Sequence, residues 1–337
     1  LACPNLALPN YEGWGYTEVS LDEVSMATII SDNALERIDD PLMRSMIWTA
    51  LFKAPSNGQM ENSTLLQTLI ASLPMENNDR VIRQSLAALV SNLNLLERLG
   101  GEYANELAVY GPQAEQQLWQ LINAGVTGLE GSQSVSTLNL RLSRYIGIAR
   151  SFEALGNLAN LLGDSTGIPG LSLGQNQRWN IIQRFTARDY DTARELLAAE
   201  RQRDPSDAGR RSAIAAEAGL PDLNIKQEWL TRILDAENPL PLSNLRAAMG
   251  SIFPTGQEEL QLALLPQLTN NLSQLASSRD NYFQQTYGRD LFFGICEKQG
   301  LEILSAAIAD SDAIGATLYR FMSENVQSAS QCLELKD

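Results

Sequence analysis

Apolar residues recur at spacings of three and four from Leu21 to the end of the chain, a pattern typical of helices that bury one face. Residues 79–101 show it most clearly, because one helical face carries a complete apolar stripe and the segment stops at two glycines. The stripe comprises Val81, Leu86, Leu89, Leu93 and Leu96. Residues 40–54 predict another helix, with Asp40 as its cap and Pro41 at its first position. Its broad apolar face is formed by Leu42, Met46, Trp48, Leu51 and Phe52.

About sixteen such segments follow one another, most of about 10 to 18 residues, the usual length of globular helices. Short links rich in Gly, Pro, Asn and Asp join them, and no strict repeat period is visible. We therefore predict an all-α fold, in which antiparallel helix pairs stack as an irregular α-solenoid of the HEAT or armadillo kind. The longest connection, residues 163–177, is expected to divide this helical-repeat domain of residues 21–337 into two halves.

The first twenty residues follow a different pattern. Pro9-Asn10 and Gly13 are turn signals, and polar and apolar residues alternate from Tyr16 to Val19. We interpret residues 1–20 as a short N-terminal β segment, which acts as a strand or linker. A single strand is not stable alone, so this segment is expected to pair with something outside the sequence.

The 337 residues include no histidine, which excludes the H-E-x-x-H zinc helix and every Ser-His-Asp or Cys-His arrangement. Three cysteines, Cys3, Cys296 and Cys332, are too widely separated to build a four-ligand zinc site or an iron–sulfur cluster. An all-carboxylate magnesium or calcium site stays open, although no calcium-loop motif is present. We therefore predict no catalytic residue, no metal ligand and no cofactor in this chain.

The net charge of −15 opposes binding to nucleic acid and to anionic membrane surfaces, because it repels phosphate. No uninterrupted apolar stretch reaches the length of about 18 residues that a transmembrane helix needs. We expect neither nucleic acid nor a membrane among the partners of this chain.

The run Gly58-Gln59-Met60-Glu61-Asn62 resembles the peptide-holding signature of zinc aminopeptidases, which lies on a strand beside the metal. Here the run lies between two helical patterns, and a second Met-Glu-Asn at residues 75–77 also precedes a helix. Without histidine the metal partner of the signature is missing. We therefore interpret the run as the start of a helix.

A broader resemblance to the same enzymes is carried by other residues, in the same order along nearly the whole chain. The matching stretches are "LALPNYEGWGYTEVSLDE", "IDDPLMRSMIWTALFKA", "GLSLGQNQRWNIIQRFTARDY", "ERQRDPSDAGRRSAIAAEA" and "SNLRAAMGSIFPTGQEELQLALLPQ". They resemble the C-terminal helical domain of bacterial aminopeptidase N-type zinc metallopeptidases, the ERAP-like C-terminal domain. The strongest is Asp-Pro-Ser-Asp-x-Gly-Arg-Arg at residues 204–211. One departure is Gly174, where the family's pattern has an acidic residue.

The resemblance implies a non-catalytic helical bowl that closes over the catalytic domain, limits substrate length and shapes an internal chamber. Its partners would be the preceding catalytic and β domains of the same polypeptide and the peptide substrate. Zinc and its ligands would belong to the catalytic domain. The resemblance is to bacterial-type enzymes and leaves open a location in the cytoplasm or in the periplasm and cell envelope.

Arg178, Arg210 and Arg211 are the candidate substrate-chamber residues. Each has two interpretations: pairing with a nearby acid in the fold, or attracting the C-terminal carboxylate of a peptide through a forked contact. The five tryptophans are expected in the core. Cys296 and Cys332 lie in the last two helical segments, where either a disulfide or two reduced buried thiols is reasonable. Cys3 is left over.

Two functions follow. In the first, the chain is the C-terminal domain of a zinc aminopeptidase and is inactive alone. In the second, it is a stand-alone helical-repeat scaffold that binds a protein or peptide partner. Glycoside hydrolysis by carboxylates is a distant third, since no pair of acids is singled out by its spacing.

Overall fold

A computed structural model describes residues 4–31, 34–55, 57–126, 134–163 and 167–336. Across these ranges the chain forms seventeen α-helices and two short 3-10 helices, Tyr11–Gly13 and Ala34–Arg37, and no strand. The all-α class is therefore confirmed. The helices are α1 Glu23–Ser31, α2 Pro41–Lys53, α3 Asn62–Ser72, α4 Asp79–Leu99, α5 Tyr103–Asn123, α6 Val135–Ile148, α7 Phe152–Leu161, α8 Gln175–Ala187, α9 Ala193–Arg203, α10 Asp207–Ala218, α11 Leu223–Leu234, α12 Leu242–Met249, α13 Glu258–Asn270, α14 Leu272–Ser278, α15 Asn281–Asp290, α16 Lys298–Ala307 and α17 Ser311–Glu334.

The chain divides into two compact units. Unit 1 comprises Leu1–Leu96 and Glu102–Leu173, and unit 2 comprises Glu97–Gly101 and Gly174–Asp337. The division after Leu173 falls inside the connection of residues 163–177, of which residues 164–166 lie outside the described ranges.

The predicted β segment is not found among the described residues of the first twenty. Asn10, Glu12 and Gly13 have positive φ angles of 55°, 65° and 72°, which coil the chain into the first 3-10 helix instead of extending it. The Asn10 side chain fixes this turn, accepting from the backbone N–H of Gly15 at 2.7 Å and donating to the Gly15 carbonyl at 2.8 Å. Because no neighbouring strand is available in the described residues, the alternation at residues 16–19 produces no ladder.

The apolar stripe predicted for α4 is confirmed, since all five of its residues are at most 1% exposed. The face predicted for α2 is confirmed only in part: Trp48 and Leu51 are buried, whereas Leu42 at the first turn is 43% exposed. Asp40 caps α2 as predicted, accepting from the backbone N–H of Leu42 at 2.9 Å. In unit 1, α5 packs against α3 and α6.

In unit 2, α8 packs against α10, α10 against α12, α12 against α15 and α15 against α17. Helices α9 and α11 lie beside this row, and α14 and α16 pack against α17. The core of unit 2 includes Trp229, Leu265, Phe283 and Leu318, together with Tyr287, which is fully buried. The Tyr287 hydroxyl donates to the Leu268 carbonyl at 2.9 Å, so its burial leaves no polar group unsatisfied.

Candidate functional site

The Asp-Pro-Ser-Asp-x-Gly stretch makes the sharp turn between α9 and α10. Ser206 caps α10, because its hydroxyl accepts from the backbone N–H of Gly209 at 3.0 Å. Asp204 ends α9 and accepts from the Trp179 indole at 2.8 Å. Hydrogen bonds from Ser206 and Trp179 hold the pKa of Asp204 below its usual value. A Cβ at Gly209 would lie 2.3 Å from the Asp204 carbonyl oxygen, so this position requires glycine. The motif is therefore explained by turn geometry.

Beside this turn, the buried carboxylate of Glu200 accepts hydrogen bonds from three side chains of α8 and α9. Arg178 approaches it at 3.0 Å, Gln175 donates to it at 3.0 Å, and the Arg203 Nε donates at 2.9 Å. Glu200 is only 3% exposed, and burial alone would raise its pKa. The hydrogen bonds from Arg203, Arg178 and Gln175 outweigh that effect and lower the pKa of Glu200 to about 2. Arg178 thus takes part in a structural ion pair that fastens α8 to α9.

The two consecutive arginines of the motif differ in their surroundings. Arg210 pairs with Asp207 one turn earlier and donates to the Pro205 carbonyl at 2.7 Å, while its side chain stays 61% exposed. Arg211 has no such pairing with any residue that the structure describes, and it lines an open groove with Arg246 of α12. The structure therefore separates the three candidates: Arg178 and Arg210 are engaged within the fold, and Arg211 faces a groove.

Sequence reasoning missed another ion pair of unit 2. Arg188 makes a forked contact with Glu97, in which one hydrogen bond is 2.7 Å long and both side chains are 13% exposed. The adjacent Arg98 lies 4.5 Å from the ring centre of Phe293 and donates to the Thr255 hydroxyl at 3.3 Å. Burial lowers the pKa of the Arg98 guanidinium. All of these contacts lie within unit 2, and a separation of 91 residues between Glu97 and Arg188 hides the pair from any local pattern.

Lys226 of α11 is a second group that the sequence did not single out. It is fully buried, and its amine donates to the Ala218 carbonyl at 2.9 Å. Burial lowers the pKa of Lys226 to about 7, and the charge of Asp222 opposes this only in part. No pattern in the sequence signals that a lysine will be buried at this position of α11.

The run at residues 58–62 forms a turn followed by a helix start, as interpreted from the sequence. Gly58 has a φ of 67°, and α3 begins at Asn62. In the second Met-Glu-Asn, Glu76 binds Arg44 through two hydrogen bonds of 2.8 Å. Asn78 then caps α4 by accepting from the backbone N–H of Arg80 at 3.1 Å.

Three of the five tryptophans are buried, and one is not. Trp48, Trp179 and Trp229 are at most 3% exposed, which confirms the core prediction for them. Trp119 is partly buried and stacks on Tyr145 with ring centres 5.3 Å apart. For Trp14 the core prediction is wrong, because this side chain is 88% exposed in the N-terminal turn.

Cys296 and Cys332 are joined by a disulfide with a Cα–Cα distance of 5.4 Å. The bond links the segment just before α16 to the last turns of α17. Cys3 lies outside the described residues. In the described ranges, no group of three or more Cys, Asp or Glu side chains is arranged to hold a metal ion. No helix within those ranges has the length and apolar character that crossing a membrane requires.

Comparison with known proteins accounts for nearly the whole chain. Residues 6–330 match the ERAP1-like C-terminal domain. The chain is also 25% identical, over 335 residues, to the Aminopeptidase N of Streptomyces lividans. That similarity covers 98% of this chain and 37% of the relative, so the chain spans little more than a third of the relative's length. The ordered resemblance identified in the sequence is confirmed by the match. The chain therefore belongs to the ERAP1-like C-terminal domain family.

Proposed function

We propose that this chain is the non-catalytic C-terminal domain of a zinc aminopeptidase, in which it closes over the active-site chamber and helps to admit or bind peptide substrates. The observation that carries the proposal is the match of residues 6–330 to a C-terminal domain. More than half of the length of the Aminopeptidase N relative lies outside the similarity, which is long enough for the domains that would hold the zinc and the catalytic residues.

The side chains of this sequence do not fit a zinc site of their own. Zinc prefers imidazole and thiolate ligands, and the sequence has no histidine. Two of its three cysteines are bonded to each other. No catalytic step is therefore assigned to this chain, and the zinc of the proposed parent enzyme would be held by another domain.

Two further features support a role as one domain of a larger protein. The row of helices α8, α10, α12, α15 and α17 in unit 2 is the arrangement expected of a stacked helical repeat, a class that commonly binds peptides or proteins along one surface. In the N-terminal turn, Tyr11, Trp14 and Tyr16 are 45%, 88% and 112% exposed. Exposed aromatic side chains so close together are typical of an interface, here with the preceding domain.

The test compares two proteins: the chain of residues 1–337 and the product of the complete reading frame that encodes it. Both are assayed on aminoacyl chromogenic substrates, with and without a metal chelator. We expect chelator-sensitive hydrolysis by the longer protein and none by the chain alone. Hydrolysis by residues 1–337 that a chelator abolishes would contradict the proposal.

The alternative is a stand-alone helical-repeat scaffold that binds a protein or peptide partner. The same reading frame decides between the two functions. An upstream region of several hundred residues with an H-E-x-x-H sequence favours the aminopeptidase. A frame that begins near Leu1 favours the scaffold.

A further inference from the structure

Helices α4 and α6 of unit 1 run side by side in the same direction. The Thr137 hydroxyl at the start of α6 donates to the carboxylate of Asp79 at the start of α4. Further along, a Cβ built on Gly147 of α6 would lie 3.9 Å from Cγ1 of Val90 of α4. The two contacts follow the same order along both helices at nearly the same spacing. The helices are therefore parallel neighbours, and the line of contact between them is called the α4–α6 seam below.

Each helix places one arginine beside this seam. On α4, Asp79, Arg83 and Val90 are spaced by four and seven residues, so they share the helical face that is turned to α6. On α6, Thr137 and Arg144 are seven residues apart and share the face that is turned to α4. With a rise of 1.5 Å per residue, the two arginines differ by only about 4.5 Å along the parallel helix axes. Both guanidiniums can therefore reach one ligand.

The fold does not use either of these guanidinium groups. No hydrogen bond or ion pair joins the side chain of Arg83 or Arg144 to any residue in the part of the chain that the structure describes. The Nε of Arg144 is buried without an acceptor, which is an exception among the polar groups of native proteins. The Arg83 side chain is exposed. The donors of both groups are available to a ligand that enters from solvent.

The two helices also form a basic region within an acidic chain. The sequence has 40 acidic and 25 basic residues, yet residues 80–96 and 135–152 contain five arginines and no acidic residue. The carboxylate of Asp79 lies at one end of the seam, where it accepts the hydrogen bond from Thr137. Two guanidiniums beside one carboxylate leave the seam with a net positive charge, which attracts an anion.

We propose that the α4–α6 seam binds a single phosphate group, held by Arg83 and Arg144. A tetrahedral phosphate accepts hydrogen bonds in several planes and carries up to two negative charges near neutral pH, which suits two guanidiniums from different helices. A carboxylate suits the pair less well, because one planar guanidinium already matches both of its oxygens. The net charge of −15 opposes a phosphate polymer. The ligand is therefore small, either free inorganic phosphate or a phosphomonoester, and this inference does not depend on the proposed function.

The experiment titrates three anions into the chain of residues 1–337 and follows binding by NMR, at an ionic strength held constant with sodium chloride. The probes are inorganic phosphate, glycerol 3-phosphate and acetate. The variants are Arg83→Gln and Arg144→Gln. The matched control is Arg320→Gln, which removes the same charge from an exposed arginine that is paired with Glu324. Circular dichroism establishes that each variant is folded, and the exposed position of Arg83 keeps the test available if the Arg144 variant does not fold.

We expect at least one of the two phosphate probes to bind about tenfold more tightly than acetate, the size of one charge-assisted hydrogen bond. Arg83→Gln and Arg144→Gln should each weaken phosphate binding by about tenfold, and Arg320→Gln should leave it unchanged. Tighter binding of inorganic phosphate assigns the free ion as the ligand, and tighter binding of glycerol 3-phosphate assigns a phosphomonoester.

Four results would overturn the proposal. Phosphate that binds no more tightly than acetate would remove the selectivity, and an unchanged phosphate affinity in either seam variant would remove that arginine from the site. An equal loss in Arg320→Gln would show that only the net charge matters. Failure of both phosphate probes to bind at tens of millimolar would show that the seam holds no such ligand.

Discussion

Replacing Glu200 with glutamine tests whether the buried carboxylate fastens α8 to α9. Glutamine keeps the size and the planar shape of the side chain but removes its charge. Arg178 and Arg203 would then meet a neutral amide in a site where Glu200 itself is 3% exposed. Breaking a fully buried ion pair from one side typically costs about 3 to 5 kcal/mol, because the remaining charge is left unpaired. Arg178 and Arg203 are 21% and 45% exposed, so water partly compensates them and the cost should lie near the lower end of that range.

The pKa of Glu200 gives a second measure of the free energy that this ion pair contributes. Its ordinary value is 4.5 and its folded value is about 2. At roughly 1.4 kcal/mol for each tenfold change, the folded environment favours the charged form by about 3 kcal/mol. Since the folded pKa is depressed, this stabilisation is fully present above pH 4.5 and is lost as the pH falls towards 2. About 2 kcal/mol of it should be gone at pH 3.

The assay is urea unfolding of the wild type and of Glu200→Gln between pH 3 and pH 7, followed by circular dichroism. The free energy of unfolding should differ by about 3 kcal/mol at pH 7 and by about 1 kcal/mol at pH 3. Taking the difference between the two proteins cancels the other carboxylates that titrate in this range. The control is Glu195→Gln, which neutralises an exposed acid on the same helix and should change stability by less than about 0.5 kcal/mol. A gap that stays constant with pH would refute the reasoning.

Other changes test other parts of the fold. Lys226→Met should raise the free energy of unfolding at pH 7, since the pKa of Lys226 is lowered to about 7. Between pH 7 and pH 10 the free energy of unfolding of the wild type should rise by about 3 kcal/mol relative to that of the variant. A difference in unfolding free energy that does not change with pH would contradict this. Reducing the Cys296–Cys332 bond, which closes a separation of 36 residues, should cost about 4 kcal/mol by chain entropy. A reductant should therefore lower the urea midpoint of the wild type and leave that of the double serine variant unchanged. Gly209→Ala should destabilise by more than about 1 kcal/mol because its Cβ meets backbone, whereas Gly156→Ala, with open space around it, should be neutral or stabilising; equal thermal midpoints for the two variants would be inconsistent with the contact.

The helices could be predicted because their signal is local. In α4 the spacing of five apolar residues alone identifies the face that is buried, since burial on a helix follows its period of 3.6. The prediction of an N-terminal strand was wrong because a strand needs a neighbouring strand, and the alternation at residues 16–19 cannot show whether one is available. The prediction that Trp14 is buried was wrong for a related reason, because its exposure depends on what surrounds the turn and not on its own apolar character.

The ion pairs also differ in whether the sequence alone could predict them. The Arg210–Asp207 pair is three residues apart on one helix, a spacing that can be read from the sequence. Arg178 and Glu200 are 22 residues apart, and Arg188 and Glu97 are 91 apart, so only the folded chain reveals these pairs. The sequence named Arg211 among three candidates but had no means of preferring it, and it missed Arg246 altogether.

The shortage of partners at Arg211 and Arg246 does not come from composition. The chain has 40 acidic residues against 25 basic ones, so an arginine placed at random on the surface should find a carboxylate within reach more easily than a carboxylate finds a cation. Within the described residues, two arginines on adjacent helices line one groove and have no acidic partner, which therefore reflects the arrangement of the acids; Asp290, which lines the same groove, is held by Arg289.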